Sequence, residues 1–93
     1  MFNDEMKKKL KESGFIEMKY SNGYHILGKK FAAATIHETL YQGSSETKNW
    51  VVKYYYTIEV HHTLYFGELD DAIESATSYL DDPDAWSPNE YLK

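Results

Sequence analysis

Ninety-three residues, 42% hydrophobic and 16% aromatic, make one small domain with enough apolar surface for a single core and no room for two. The absence of cysteine excludes disulfides, zinc–thiolate sites and thiol nucleophiles, and a net charge of −5 with ten lysines and no arginine argues against a phosphate- or guanine-reading surface. The longest apolar run, FAAA, is far short of the ~20 residues of a membrane span, and MFNDEMKKKL has no apolar core of a signal peptide, so a cytoplasmic chain is expected.

In chain order, residues 3–13 read as a helix. Asn3 stands at the N-cap, Asp4 and Glu5 complement the positive end of the helix dipole, and lysines gather toward the other end. Phe2, Met6 and Leu10 form its apolar stripe, and Glu5–Lys9 and Lys8–Glu12 are i,i+4 pairs on a solvated face. FIEMKY-SNG-YHILGKKF predicts two short strands about Asn22-Gly23. A three-residue loop would set Tyr20 opposite Tyr24 and Met18 opposite Ile26, whereas a two-residue turn would bring Met18 to Leu27. The first segregates apolar from polar side chains better.

A third strand over 31–42 places Ala32, Ala34, Ile36 and Leu40 on one side, small enough for a helix to lie close. After the polar loop GSSETK, a long strand opens at Trp50, its even positions apolar or aromatic through Val60. Setting Leu40 opposite Val52 and Ile36 opposite Tyr56 brings the apolar sets together, with His37 beside Tyr55 and Thr35 beside Thr57. Residues 50–66 are too long for one strand. A turn at His61-His62, in preference to a bulge, is expected to break it and lead into a short strand, TLYF.

GELDDAIESATSYLDD is the clearest helix, with Leu69, Ala72, Ile73, Ala76 and Leu80 on one face and Ser75 among the residues outside it. Pro83 stops it, and the tail over 82–93 folds back through Trp86, Tyr91 and Leu92, with Ser87-Pro88-Asn89-Glu90 spaced as a capping box. The expected fold class is α+β: one domain over 1–93, built on a single antiparallel sheet of four to five strands with an N-terminal and a C-terminal helix packed on one face, in α-β-β-β-β-(β)-α order.

Charge is distributed unevenly. Residues 1–66 hold nine lysines against seven acids, whereas residues 67–93 hold one lysine against eight acids. The helix dipole accounts for Asp70, Asp71 and Glu74 near an N-terminus but disfavours Asp81, Asp82 and Asp84 at the other end. An uncompensated acidic stripe steers toward basic partners. The expected activity is therefore non-catalytic: Asp70, Asp71, Glu74, Asp81, Asp82 and Asp84, with Trp86 as an aromatic anchor, dock onto the basic surface of another protein. In the sharpest form that surface is a groove that normally holds nucleic acid, and the carboxylates imitate phosphates. In size and charge the chain resembles phage-encoded inhibitors of host or defence proteins.

The alternative reading is a nucleic-acid-binding module using Lys19, His25, Lys53 and Tyr55 on the open sheet face. A small enzyme built on one of His25, His37, His61 or His62 ranks third, since no nucleophile or partner is marked beside a histidine. No HExxH, GxSxG or phosphate-binding glycine loop is present, no metal or other cofactor is expected, and an exposed edge strand leaves a homodimer open.

Overall fold

The computed structural model describes residues 2–42 and 47–91 as two helices laid on one side of a five-stranded antiparallel meander. Helix α1, Asp4–Glu12, starts where expected because the Asn3 side chain accepts a hydrogen bond from the Met6 amide at 2.8 Å. Strands β1 (Ile16–Glu17), β2 (Gly23–Leu27), β3 (Ala32–Gln42), β4 (Thr47–Tyr56) and β5 (Glu59–Phe66) follow, each paired with the next. Helix α2, Leu69–Asp81, closes the domain, and the tail returns through a 3-10 turn, Pro88–Glu90, capped by the Ser87 hydroxyl. Among the described residues no helix is long and apolar enough to cross a membrane.

The core lies between sheet and helices. Even-numbered residues of β3 and β4 (Ala32, Ala34, Ile36, Trp50, Val52, Tyr54) face Leu10 of α1 and Leu69, Ala72, Ala76, Tyr79 and Leu80 of α2. Phe2 seats α1 with its ring 5.0 Å from both Tyr24 and Trp50. Trp86 closes the other end, 4.4 Å from Tyr54 and 5.2 Å from Tyr79, with Tyr91 stacked on its outer side at 5.9 Å. The tail up to Tyr91 is thus packed on the domain.

Four sequence expectations are corrected. The first hairpin takes neither anticipated register. Glu17 pairs with Tyr24 and Met18 donates its amide to the Gly23 carbonyl, so the loop is residues 19–22 and Gly23 belongs to the strand. Its place there is steric: a Cβ on Gly23 would sit 2.3 Å from the His37 ring of the neighbouring strand. In the second hairpin Ile36 pairs with Val52, not Tyr56, and Thr35 with Lys53, a shift of four residues that preserves the faces. The turn after β4 is at Thr57-Ile58, while the histidines lie within β5. Pairing passes from Tyr54↔His62 to Tyr55↔Val60, leaving His61 as the bulged residue. Ser75, expected outside the apolar face, is fully buried because its hydroxyl meets the Tyr54 hydroxyl at 2.5 Å.

Two close approaches make testable demands on stability. A Cβ at Gly28 would lie 2.6 Å from Leu80 Cδ2 and 3.1 Å from the Leu80 Cα, so Gly28→Ala must push α2 off the sheet. It is expected to lower the unfolding free energy by about 1–3 kcal/mol, read as a reduced urea midpoint.

The second concerns tyrosine. Burial pushes the Tyr54 hydroxyl well above the usual tyrosine range, against the opposing bond from Ser75, and burial also raises Tyr79 and Tyr24, the latter reinforced by Glu17. The unfolded chain gives up these protons near pH 10 while the folded chain keeps them. Stability is therefore complete below that pH and falls as the pH rises toward the folded-state values, by about 1.4 kcal/mol per pH unit for Tyr54 alone. Urea midpoints measured across the alkaline range check the slope.

Candidate functional site

Helix α2 turns its apolar side to the sheet, and this burial decides where its acids point. Asp70, Asp71, Glu74 and Asp81 are exposed, as are Asp82 and Asp84 just beyond its end. Their surroundings divide them. Lys9 of α1 reaches Asp70 at 3.1 Å, and Lys30 of the β2–β3 turn reaches Asp84 at 2.6 Å. Each carboxylate raises the pKa of its lysine, mainly through the hydrogen bond. Both pairs are solvent-exposed, the class that contributes little to stability. Asp82 accepts the Ala85 amide at 3.2 Å and shapes the turn that leaves the helix.

Asp71, Glu74 and Asp81 remain. Their spacing of three and seven residues aligns them along one side of α2, and among the described residues no ion pair engages them. The helix dipole favours Asp71 in the first turn, but the last turn of α2 carries no basic residue and the dipole disfavours Asp81 there, so helix stability does not account for the whole stripe. Trp86 is half-buried between Tyr54, His62, Tyr79 and Tyr91, which makes it a pin for the tail. Its indole N–H is buried and has no partner among the described residues.

The opposite side of the sheet bears no helix. Register places its residues in three rows: Leu27–Ala33–Tyr55–Val60, then Ile16–His25–Thr35–Lys53–Thr63, then Gly23–His37–Val51–Tyr65. None of these positions is Asp or Glu. His25 and Lys53 flank Thr35 in one row and Tyr55 stands in the next, so three of the four residues anticipated for this face share it. Lys19 does not; it sits in the 19–22 loop with its amine 5.4 Å from the Tyr20 ring centroid. His37 lies over Gly23 with Nε2 3.2 Å from the Ser21 hydroxyl, and burial, with Lys53 adding, lowers its pKa. The imidazole is thus largely neutral near pH 7. A serine touching a neutral histidine has the start of a nucleophile–base pair, but among the described residues no third group orients the ring.

Sequence reading missed one feature. Leu27, Phe31, Ile58 and Val60 gather at one end of the sheet, around the β2–β3 turn and the β4–β5 turn, the second of which was expected at the histidines. The signal was present in the adjacent apolar and lysine residues of LGKKF, whose tight turn falls on Lys30-Phe31 and not on its glycine, and in TIE, which is not a turn sequence by composition.

No family model matches the chain, and no curated protein or solved structure matches it significantly, so geometry and charge carry the functional reading.

Proposed function

We propose that the protein is a non-catalytic binding module, an inhibitor in its simplest form, that offers the acidic side of α2 to a basic surface of another protein. The observation that carries this reading is the exposed line Asp71–Glu74–Asp81, unpaired among the described residues and set on a packed helix whose dipole favours only its N-terminal end. Fixed carboxylates on a packed helix lose little freedom on docking, and their summed field speeds encounter with a cationic surface. A groove that normally holds nucleic acid is the partner best matched to such a line, with carboxylates standing where phosphates would lie. A cysteine-free chain suits the reducing cytoplasm, and size and charge fit a phage-encoded inhibitor.

A second reading is favoured by the carboxylate-free sheet face, where Lys53, His25 and Tyr55 would meet a single-stranded nucleic acid by charge and stacking. The two separate on a heparin column. The acid-presenting protein passes through, whereas the nucleic-acid module is retained and eluted by salt. Pull-down from lysate with the native chain and with an Asp71→Lys/Glu74→Lys/Asp81→Lys variant tests the first reading directly. Basic proteins held by the native chain and released by the variant support it, and an unchanged set of captured proteins refutes it.

A further inference from the structure

We propose that the end of the sheet formed by the β2–β3 and β4–β5 turns is the apolar centre of the docking surface, and that it inserts into an apolar pocket bordered by Lys or Arg on a partner protein. The inference rests on the acidic reading above and says where the contact is anchored. Leu27 is 77% exposed, Phe31 78%, Ile58 91% and Val60 47%, so half of the eight exposed large apolar side chains among the described residues lie at this end. A group of exposed apolar side chains marks an interaction site more often than a scattered single residue does.

Backbone conformation supplies an independent observation. Among the described residues, the non-glycine residues in the left-handed region are Lys30 (φ 53°), Phe31 (φ 63°) and Thr57 (φ 58°), and all three lie at this end. Lys30 and Phe31 are the central residues of a tight turn closed by the Ala32 amide on the Lys29 carbonyl at 2.9 Å. Such a turn favours Asn-Gly, and a bulky aromatic or β-branched residue in that region is unfavourable. The two turns are joined, since the Thr57 amide donates to the Phe31 carbonyl at 3.1 Å. Strain gathered on exposed residues, with Phe31 contributing little to the core, points to a use outside the domain.

Charge identifies the occupant. The C-terminal end of α2 lies at this same end, with Leu80 against Gly28 and Asp84 bonded to Lys30. Asp82 and Asp84, with Asp81 just before them on α2, therefore lie beside the apolar group and act on Lys30, which Asp84 engages; Lys29 stands next to it in the same turn and leaves the rim net acidic. An apolar centre with an acidic rim fits a protein pocket lined by aliphatic or aromatic side chains and edged by cations. An anionic bilayer or a nucleic acid would meet the same carboxylates as a repulsion.

A phage-displayed library of random linear peptides, panned on the intact chain, tests this. Enriched peptides are expected to combine large apolar side chains with Lys or Arg. Phe31→Ser/Ile58→Ser is expected to weaken them roughly 30-fold, and Asp81→Lys/Asp82→Lys about 10-fold with loss of salt dependence. Phe31→Gly serves as the folding control: relief of the left-handed aromatic should raise Tm by a few degrees while binding still falls. Loss on the acidic variant with none on the apolar variant overturns this inference and leaves the acidic reading standing. Loss on the apolar variant alone overturns the basic partner, and no loss on either overturns both. Absence of any enriched peptide, Ile58-dependent flotation with phosphatidylcholine vesicles, or a dimer dissolved by Ile58→Ser would each overturn the stated occupant.

Discussion

Tyr54→Ala is expected to cost about 3–5 kcal/mol, the range for truncating a large buried aromatic, out of roughly 5–14 kcal/mol available to a domain of this length. Tyr54 is the point where three parts of the fold meet. Its backbone pairs with His62 across β4 and β5, its ring packs edge-on against Tyr79 at 5.3 Å and beside Trp86 at 4.4 Å, and its hydroxyl meets Ser75. Removing the ring detaches the tail from the sheet and strands the Ser75 hydroxyl in the core. Tyr54→Phe keeps the ring and loses only the buried bond, for about 1–2 kcal/mol. Urea titrations followed by Trp fluorescence give both values. A loss below about 2 kcal/mol for the alanine variant would contradict the packing of α2 and the tail on this residue.

Swapping Asp71, Glu74 and Asp81 to lysine is expected to weaken binding of the native partner roughly 100-fold or more, since each change replaces an attraction to a cationic surface with a repulsion. The chain's net charge moves from −5 to +1, because each of the three swaps shifts it by two. Folding should change little. Asp71 lies in the first turn, where the helix dipole favours an acid, and Asp81 at the last residue, where it disfavours one. The two effects, about 0.3–1 kcal/mol each, oppose one another. Asp70 is left out of the set because lysine there would face Lys9, which now bonds the carboxylate at 3.1 Å. Circular dichroism establishes the fold of the variant, and titration calorimetry with the captured partner measures the loss.

Much of the fold was legible because its signals are local. Asn3 followed by acids, Gly14 after Glu12, and the three–four spacing of Leu69, Ala72, Ile73, Ala76 and Leu80 each determine a helix within its own residues. Alternation in β3 and β4 assigned the faces correctly but not the register. A shift of two or four residues still sets Ala34 and Ile36 opposite Val52, Tyr54, Tyr56 or Ile58, so the choice of Ile36↔Val52 needs three-dimensional closure.

Turn chemistry misled where tertiary contact overrode it. Asn22-Gly23 reads as a turn, yet Gly23 is needed in the strand to admit the His37 ring. Lys30-Phe31 and Thr57-Ile58, which do form tight turns, carry side chains that turn preferences disfavour. The candidate site divided the same way. Charge asymmetry located the acids, but only the fold shows that Asp70 and Asp84 are engaged by lysines from α1 and the β2–β3 turn, or that the β2–β3 and β4–β5 turns bring Phe31 and Ile58 together near Asp82 and Asp84.

Carboxyl footprinting tests the central claim most directly. The free chain and the chain in its partner complex are labelled with a carbodiimide and glycine ethyl ester, and modification at each acid is read by mass spectrometry. The account predicts that Asp71, Glu74 and Asp81 are labelled readily in the free chain and protected in the complex. A complex in which these three stay as reactive as in the free chain, with protection confined to Glu17, Glu38 or Glu59 on the sheet strands, would contradict it.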